Sequence, residues 1–340
     1  MGVSDQGLMA AAWVKVEDLA DESGVPHLGG YVRYLRARNL RPKTGMTYSS
    51  RLRTFAQFLV TKRGRSLVGS WTAADLEAFA LARDLGTRAQ ESYRSALRSF
   101  VEYLRTRFGL WPAQSPLSGL GRLKRNPKRR KHVLLEGEVA KQLIHSPILP
   151  RDRLVMALLY VCGLRPAEAQ LLRLRDVVDG DGRPRPTITV RSTHAKTGRD
   201  REVATHKMVR GLIADYLTDQ FGSDTLDLDA FLFPGARPGL PIVLETLQRS
   251  HRKTCKALEE KGVLKRSLRP YDGRHDAINR MIHEGIPGLK PTEELEVIAA
   301  QSGHSRETLM RDYAFFDAAS IDPEQKTSAF DALDPEEAEK

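Results

Sequence analysis

Cysteine is scarce in this chain. Its two residues, Cys162 and Cys255, lie far apart and match no zinc-binding spacing. Cys162 sits in "MALLYVCGL" and reads as a buried thiol. That stretch is also the longest apolar run, far short of the ~20 residues that cross a bilayer, so no membrane partner is expected. No basic segment followed by an apolar one opens the chain, which reads as intracellular and cytoplasmic. There is no HExxH, no clustered carboxylate set and no Walker loop, so neither metal nor cofactor is expected. Acids are also missing where bases crowd. From Tyr31 to Ser70 there are ten Lys and Arg and no Asp or Glu.

A length of 340 residues favours two domains, and 41% hydrophobic residues suffice for two cores. The net charge of +11 is uneven: residues 315–340 carry −6, leaving +17 on the rest. A merely soluble surface would intersperse its signs. This distribution points instead to a polyanionic partner.

The fold class read from the pattern is mainly α. Residues 1–27 form a short N-terminal arm or helix. Residues 28–120 form a small helical bundle, basic along one side, with apolar residues at helical spacing in "TGMTYSSRLRTFAQFLV" and "SYRSALRSFVEYL", and with Thr72 as an N-cap. "GRLKRNPKRRKH" opens a basic linker at 121–133, whose seven Lys and Arg suit a strap across a phosphate backbone better than an inert connection. Residues 134–320 form a mostly helical second domain with a small β-hairpin, "PTITVRSTHAKTGRDREVAT", turning at Gly198. Helices are expected at 206–218, 244–261, 273–284, 292–301 and 306–312. An acidic tail, 321–340, closes the chain; it reads as a segment that joins protomers, with "TSAFDAL" as a short amphipathic helix. There is no internal repeat.

Four places hold polar residues that no core requires, the hairpin with Lys196 being one. "CGLRPAEA" puts Arg165 before the proline that starts a helix, and "PYDGRHDAINRM" puts Arg274 in the first turn of another, capped by Asp272. Helix N-termini favour anions, so two arginines there point to one shared anion. In "SGHSRETLMRDYAFF", His304 and Tyr313 are nine residues apart and would face opposite ways on one continuous helix. Ser305 as N-cap, with Glu307 in the first turn, makes a short helix that Tyr313 closes. Without a metal, a phosphodiester under attack needs arginine and lysine around it. Such cations also favour the phenolate of a nearby tyrosine.

In this ordered set the chain resembles the tyrosine recombinases, the lambda-integrase and Xer superfamily, across roughly residues 28–320. Gly163-Leu164-Arg165 with Glu168 resembles the first arginine box. Lys196 matches the hairpin lysine. "YDGR" matches the second box, with Arg274 as the second arginine and Tyr271 where the family has histidine. Gly303-His304 and Tyr313 match the terminal pair.

The resemblance implies a site-specific recombinase. Tyr313 attacks the scissile phosphate, giving a 3′-phosphotyrosine and a free 5′-hydroxyl. Arg165 and Arg274 bind the non-bridging oxygens, His304 adds a hydrogen bond, and Lys196 protonates the leaving 5′-oxygen. Glu168 orients the first arginine. A phenol at Tyr271 still donates a hydrogen bond but cannot exchange a proton near neutral pH; His275 is a substitute or a packing residue.

The expected partner is double-stranded DNA carrying specific sites, clamped between the two domains and bound by a dimer per site and a tetramer in synapsis. DNA contacts are assigned to Arg41, Lys43, Arg51 and Arg53, to Lys124, Arg125, Lys128, Arg129 and Arg130, and to Arg252 and Lys253 on a groove-width helix. The first 27 residues are too short for a further arm-binding domain, which favours a simple integrase or Xer-type resolvase. A type IB topoisomerase-like nicking-closing enzyme and a non-catalytic DNA-binding regulator are the alternatives.

Overall fold

A computed structural model describes residues 5–110, 116–118, 120, 123, 135–192, 200–222, 226–286 and 288–313. Lys196 and Gly198, strap residues Lys124, Arg125, Lys128, Arg129 and Arg130, and the acidic tail lie outside the described residues. The chain divides into two compact units, residues 3–129 and 130–340.

The first unit is a helical bundle: α1 (Asp5–Asp21), α2 (Leu28–Ala37), α3 (Pro42–Phe58), α4 (Ala73–Ala82) and α5 (Thr87–Phe108). The segment expected as an arm or helix is a helix that joins the core, burying Trp13, Val16 and Ala20 with Leu52, Phe55, Phe79 and Phe100. Gly45 makes this possible, because a Cβ there would lie 2.5 Å from the Trp13 ring. Aromatic edges interlock the bundle, with Phe79 5.2 Å from Phe55 and 4.9 Å from Tyr93 between ring centroids. Thr72 caps α4 as its sequence predicts, its N–H donating to Asp75 Oδ2 at 2.8 Å.

The second unit is built around α7 (Pro150–Tyr160), buried from Leu154 through Tyr160. A helix apolar on every side must be covered on every side. It is packed by α6 (Gly137–His145), α8 (Pro166–Leu171), α10 (Lys207–Phe221), α11 (Leu244–Glu260) and α12 (Pro270–Glu284). A short helix α9 (Leu174–Val177) precedes the antiparallel hairpin of β1 (Thr187–Val190) and β2 (Arg201–Ala204), whose register pairs Val190 with Arg201 and Thr187 with Ala204. Helices α13 (Pro291–Ser302) and α14 (Arg306–Asp312) complete the unit. The chain is fastened to α12 where its description resumes. Leu135 N–H donates to Asp276 Oδ1 at 2.7 Å, and Arg280 Nη2 donates to the Leu135 carbonyl at 2.8 Å.

Helix α12 lies so close to α7 that a Cβ on Gly273 would sit 2.8 Å from the Tyr160 ring. That ring cannot easily give way, because its hydroxyl is 3.0 Å from His251 Nε2 in the core. Gly273→Ala is therefore expected to destabilise this unit by about 1–3 kcal/mol, as overpacked cores do. Denaturant unfolding checks it; an unchanged midpoint would show that α12 does not need the glycine.

His251 is fully buried, and burial pushes its imidazole down to about 4. Below pH 6.5 the unfolded chain takes up a proton that the folded chain refuses, so stability falls as pH drops from 6.5 toward about 4. His251→Gln removes this contribution, of order 3 kcal/mol across the window. The gap between unfolding free energies at pH 7 and pH 4.5 should thus narrow in the variant, the share of His304 remaining. An unchanged difference would assign the acid sensitivity elsewhere.

Candidate active site

The site grows from four chain ends that meet. At the end of α7 the backbone turns through Gly163 at φ +61°, which brings Arg165 to the N-cap of α8 ahead of Pro166. One turn into α8, the Glu168 carboxylate folds back on that cap, taking the Arg165 N–H at 2.9 Å on Oε2 and Arg165 Nη1 at 2.7 Å on Oε1. Gly303, at φ +63°, ends α13 and turns the chain toward α14. Ser305 caps α14, its hydroxyl accepting from Thr308 N–H at 3.2 Å, and Tyr313 is the residue that closes it.

Arg274 lies in the middle, 1% exposed. Its helix begins at Pro270, one turn earlier than its capping pattern was taken to indicate. Asp272 is the third helical residue and reaches back to the Arg269 N–H at 2.9 Å. Arg274 thus stands in the second turn of α12, not at the dipole end. It is held by carbonyls: Nη1 donates to Gly163 O and Nη2 to Ser302 O. Glu168 Oε2 lies 3.9 Å from its Nη1. Burial, then the nearby Arg165, pushes Arg274 down to about 10, still a cation at neutral pH.

His304 Nε2 is 3.4 Å from Arg274 Nη2. A guanidinium only donates, so Nε2 is the acceptor and a neutral ring carries its hydrogen on Nδ1. Burial first, then Arg274 and Arg165, push this histidine down to about 3, which keeps it neutral. Its Nδ1 is buried with no hydrogen-bond partner among the described residues. The Tyr313 ring packs between two imidazoles, 5.1 Å from His275 and 5.2 Å from His304, and is 3% exposed.

The expected residues Arg165, Glu168, Arg274, His304 and Tyr313 therefore converge. Tyr271 does not join them by any described contact; it is 51% exposed at the start of α12. His275 is at the sixth helical position rather than the third, and so reaches Tyr313. Elsewhere, Arg51 spends its charge inside the first unit, its guanidinium 4.8 Å from the Tyr93 ring centroid. Arg41, Lys43 and Arg53 are exposed. Arg252 and Lys253 are exposed on α11, with Arg252 paired to Glu245.

One further participant, Arg201, lies outside every short motif. Arg201 grips Glu168 with a fork, Nη1 to Oε1 at 3.1 Å and Nη2 to Oε2 at 2.7 Å. Strand alternation was its only signal, since Arg201 shares a face with buried Val203. Burial raises the Glu168 carboxyl, but Arg201 and Arg165 outweigh it and hold the group below its ordinary range. Three cations on one carboxylate leave two formal positive charges beside a tyrosine.

This cluster of cations and a buried tyrosine stands in the mainly helical second unit. The chain belongs to the phage integrase family, whose model matches residues 134–318, and the family's N-terminal SAM-like domain matches residues 28–107. It is 28% identical over 195 residues to a tyrosine recombinase of Pseudothermotoga lettingae, covering 56% of this chain and 58% of that one. It is 30% identical over 120 residues to transposase A from transposon Tn554 of Staphylococcus aureus, covering 34% and 33%. The chain thus spans less than two thirds of the length of these relatives.

Three solved structures share the fold. The Tn1549 transposon integrase in complex with transposon right end DNA gives a TM-score of 0.61 at 17% identity, over 89% of this chain and 98% of that one. A lambda integrase dimer bound to a COC′ core site gives 0.61 at 16%, over 85% and 94%. XerH recombinase bound to palindromic difH substrate gives 0.61 at 15%, over 98% of each.

Proposed function

We propose that this protein is a site-specific DNA recombinase that cuts and rejoins strands through a 3′-phosphotyrosine. The observation that carries this reading is the buried pair Arg274 and Glu168, with Arg165 on its outer side and Tyr313 against His304. Arg165, only 12% exposed, and Arg274 present charge to the two non-bridging oxygens of the scissile phosphate. The unpartnered Nδ1–H of His304 donates to one of them. Tyr313 gives up its phenolic proton to water, its oxygen bonds to phosphorus, and the 5′-oxygen leaves with a proton from Lys196. The exposed Tyr271 donates to the bound backbone. The 5′-hydroxyl of a second duplex reverses the step, so the energy of the broken ester is kept and no nucleotide is consumed.

Because the Tyr313 ring is buried, attack requires α14 to shift. That helix has only seven residues and one side-chain cap, a small structure to displace.

Residues 28–120 serve as the core-binding domain and 134–320 as the catalytic domain, with 121–133 as a strap on the phosphates. Affinity for the duplex comes mainly from Arg41, Lys43, Arg53, the strap and α11, with a steep salt dependence. The working unit is a dimer on each site and a tetramer in synapsis, in the cytoplasm on the nucleoid. A two-site plasmid tests this. Recombinant circles that require both sites are expected. Relaxation of a plasmid with no site, without recombinants, would instead mark a nicking-closing enzyme, and specific binding without cleavage a regulator.

A further inference from the structure

We propose that Arg201 is a positioning residue of the cleavage site: by forking onto Glu168 and bonding the turn before His304, it keeps Arg165 and Arg274 free to hold the phosphate. This rests on the phosphotyrosine reading above.

The argument begins with the carboxylate. Glu168 has two oxygens with about four lone-pair directions. Arg165 takes two of them, one through Nη1 and one through its backbone N–H; Arg201 takes the others at 3.1 and 2.7 Å. Arg274 stands outside this set at 3.9 Å and bonds carbonyls instead. Without Arg201, the freed lone pairs of a 1% exposed carboxylate must be satisfied by whatever cation is nearest, and those are Arg165 and Arg274. Both would turn inward, toward the carboxylate and away from substrate. The formal charge of the cluster would fall from two to one as well.

The third nitrogen acts on the other side of the site. Arg201 Nε donates to Gln301 O at 2.8 Å, one residue before the carbonyl that holds Arg274 and three before His304. Gly303 lets the side chain pass, since a Cβ there would be 3.3 Å from Arg201 Cδ. One side chain, 7% exposed, therefore ties the hairpin, the first arginine box and the Gly-His turn together. All three of its nitrogens face protein acceptors, and unlike Arg274, which bonds neutral carbonyls, its head is matched to a carboxylate, which fits a support.

The test uses a nicked suicide duplex carrying the recombination site, with either a normal scissile phosphate or a methylphosphonate. The latter is neutral and needs less cationic stabilisation. On the phosphodiester, Arg201→Ala should slow covalent-complex formation by about 100-fold, the scale of one lost electrostatic donor. On the methylphosphonate the loss should shrink to less than about tenfold, in parallel with Arg165→Ala. The ratio between substrates cancels the folded fraction, and Arg201→Lys, which keeps charge without the fork, reports the same ratio should the alanine variant fold poorly.

In a Glu168→Gln background, Arg201→Ala should add clearly less than its full loss, because the share that passes through that carboxylate is already gone and only the Gln301 bond remains to be lost. Equal losses on the two substrates would make Arg201 a packing residue and overturn the proposal. Additive losses with Glu168→Gln would make it a direct phosphate ligand and overturn it too. Both results would leave Tyr313 chemistry intact, whereas no adduct from the unmutated protein on either duplex overturns the phosphotyrosine reading and this one together.

Discussion

Tyr313→Phe is expected to bind its DNA site as tightly as the unmutated chain and to form no covalent complex on it. The substitution removes one oxygen and leaves the ring between His275 and His304, so packing at 5.1 and 5.2 Å is kept. Affinity rests on the basic surface, which the change does not touch. Losing a nucleophile costs about four to six orders of magnitude where no substitute exists. The measurement is the rate of adduct formation in single turnover, set beside the dissociation constant from the same preparation. Equal loss of binding and adduct would make Tyr313 a structural residue of α14.

Arg274→Ala is expected to have the second-largest effect, and on two quantities at once. It removes the central cation, for which about 100- to 1,000-fold of cleavage is the scale of one electrostatic donor. It also leaves the Gly163 and Ser302 carbonyls without their partner in a buried place, at about 1–3 kcal/mol each. Arg165→Ala separates the two effects, because its guanidinium bonds only the side chain of Glu168 among described contacts. That variant should lose cleavage on a similar scale with a smaller change in unfolding free energy. Arg274→Lys should rescue little, since an ammonium cannot span both carbonyls and still face a phosphate. Full activity in Arg274→Lys would mean that only charge matters at this position.

What the sequence disclosed depended on how local each signal was. Pro166 opens a helix, Thr72 and Ser305 cap two others, and strand alternation marks the hairpin, all within a few residues. Arg165, Glu168, Arg274, His304 and Tyr313 were legible because each sits in a short box. Arg274 stands one helical turn deeper than a cap at Asp272 predicts, because Pro270 starts the helix and Asp272 caps from inside it. Arg201 stayed hidden for a different reason. Its partners Glu168 and Gln301 are 33 and 100 residues away, so no window contains the interaction. The share of α1 in the first core was equally remote from its own pattern, being decided by Gly45 making room for Trp13.

The most direct test of the account is to find where the DNA strand is attached. A suicide duplex that loses a short 5′-hydroxyl fragment after cleavage traps the complex, and nuclease and protease digestion leaves a nucleotide on one peptide for mass spectrometry. The account predicts a 3′-linked phosphodiester on Tyr313 and an unmodified Tyr271. A nucleotide on Tyr271 or any other side chain, or recombination with no trapped peptide, would contradict it.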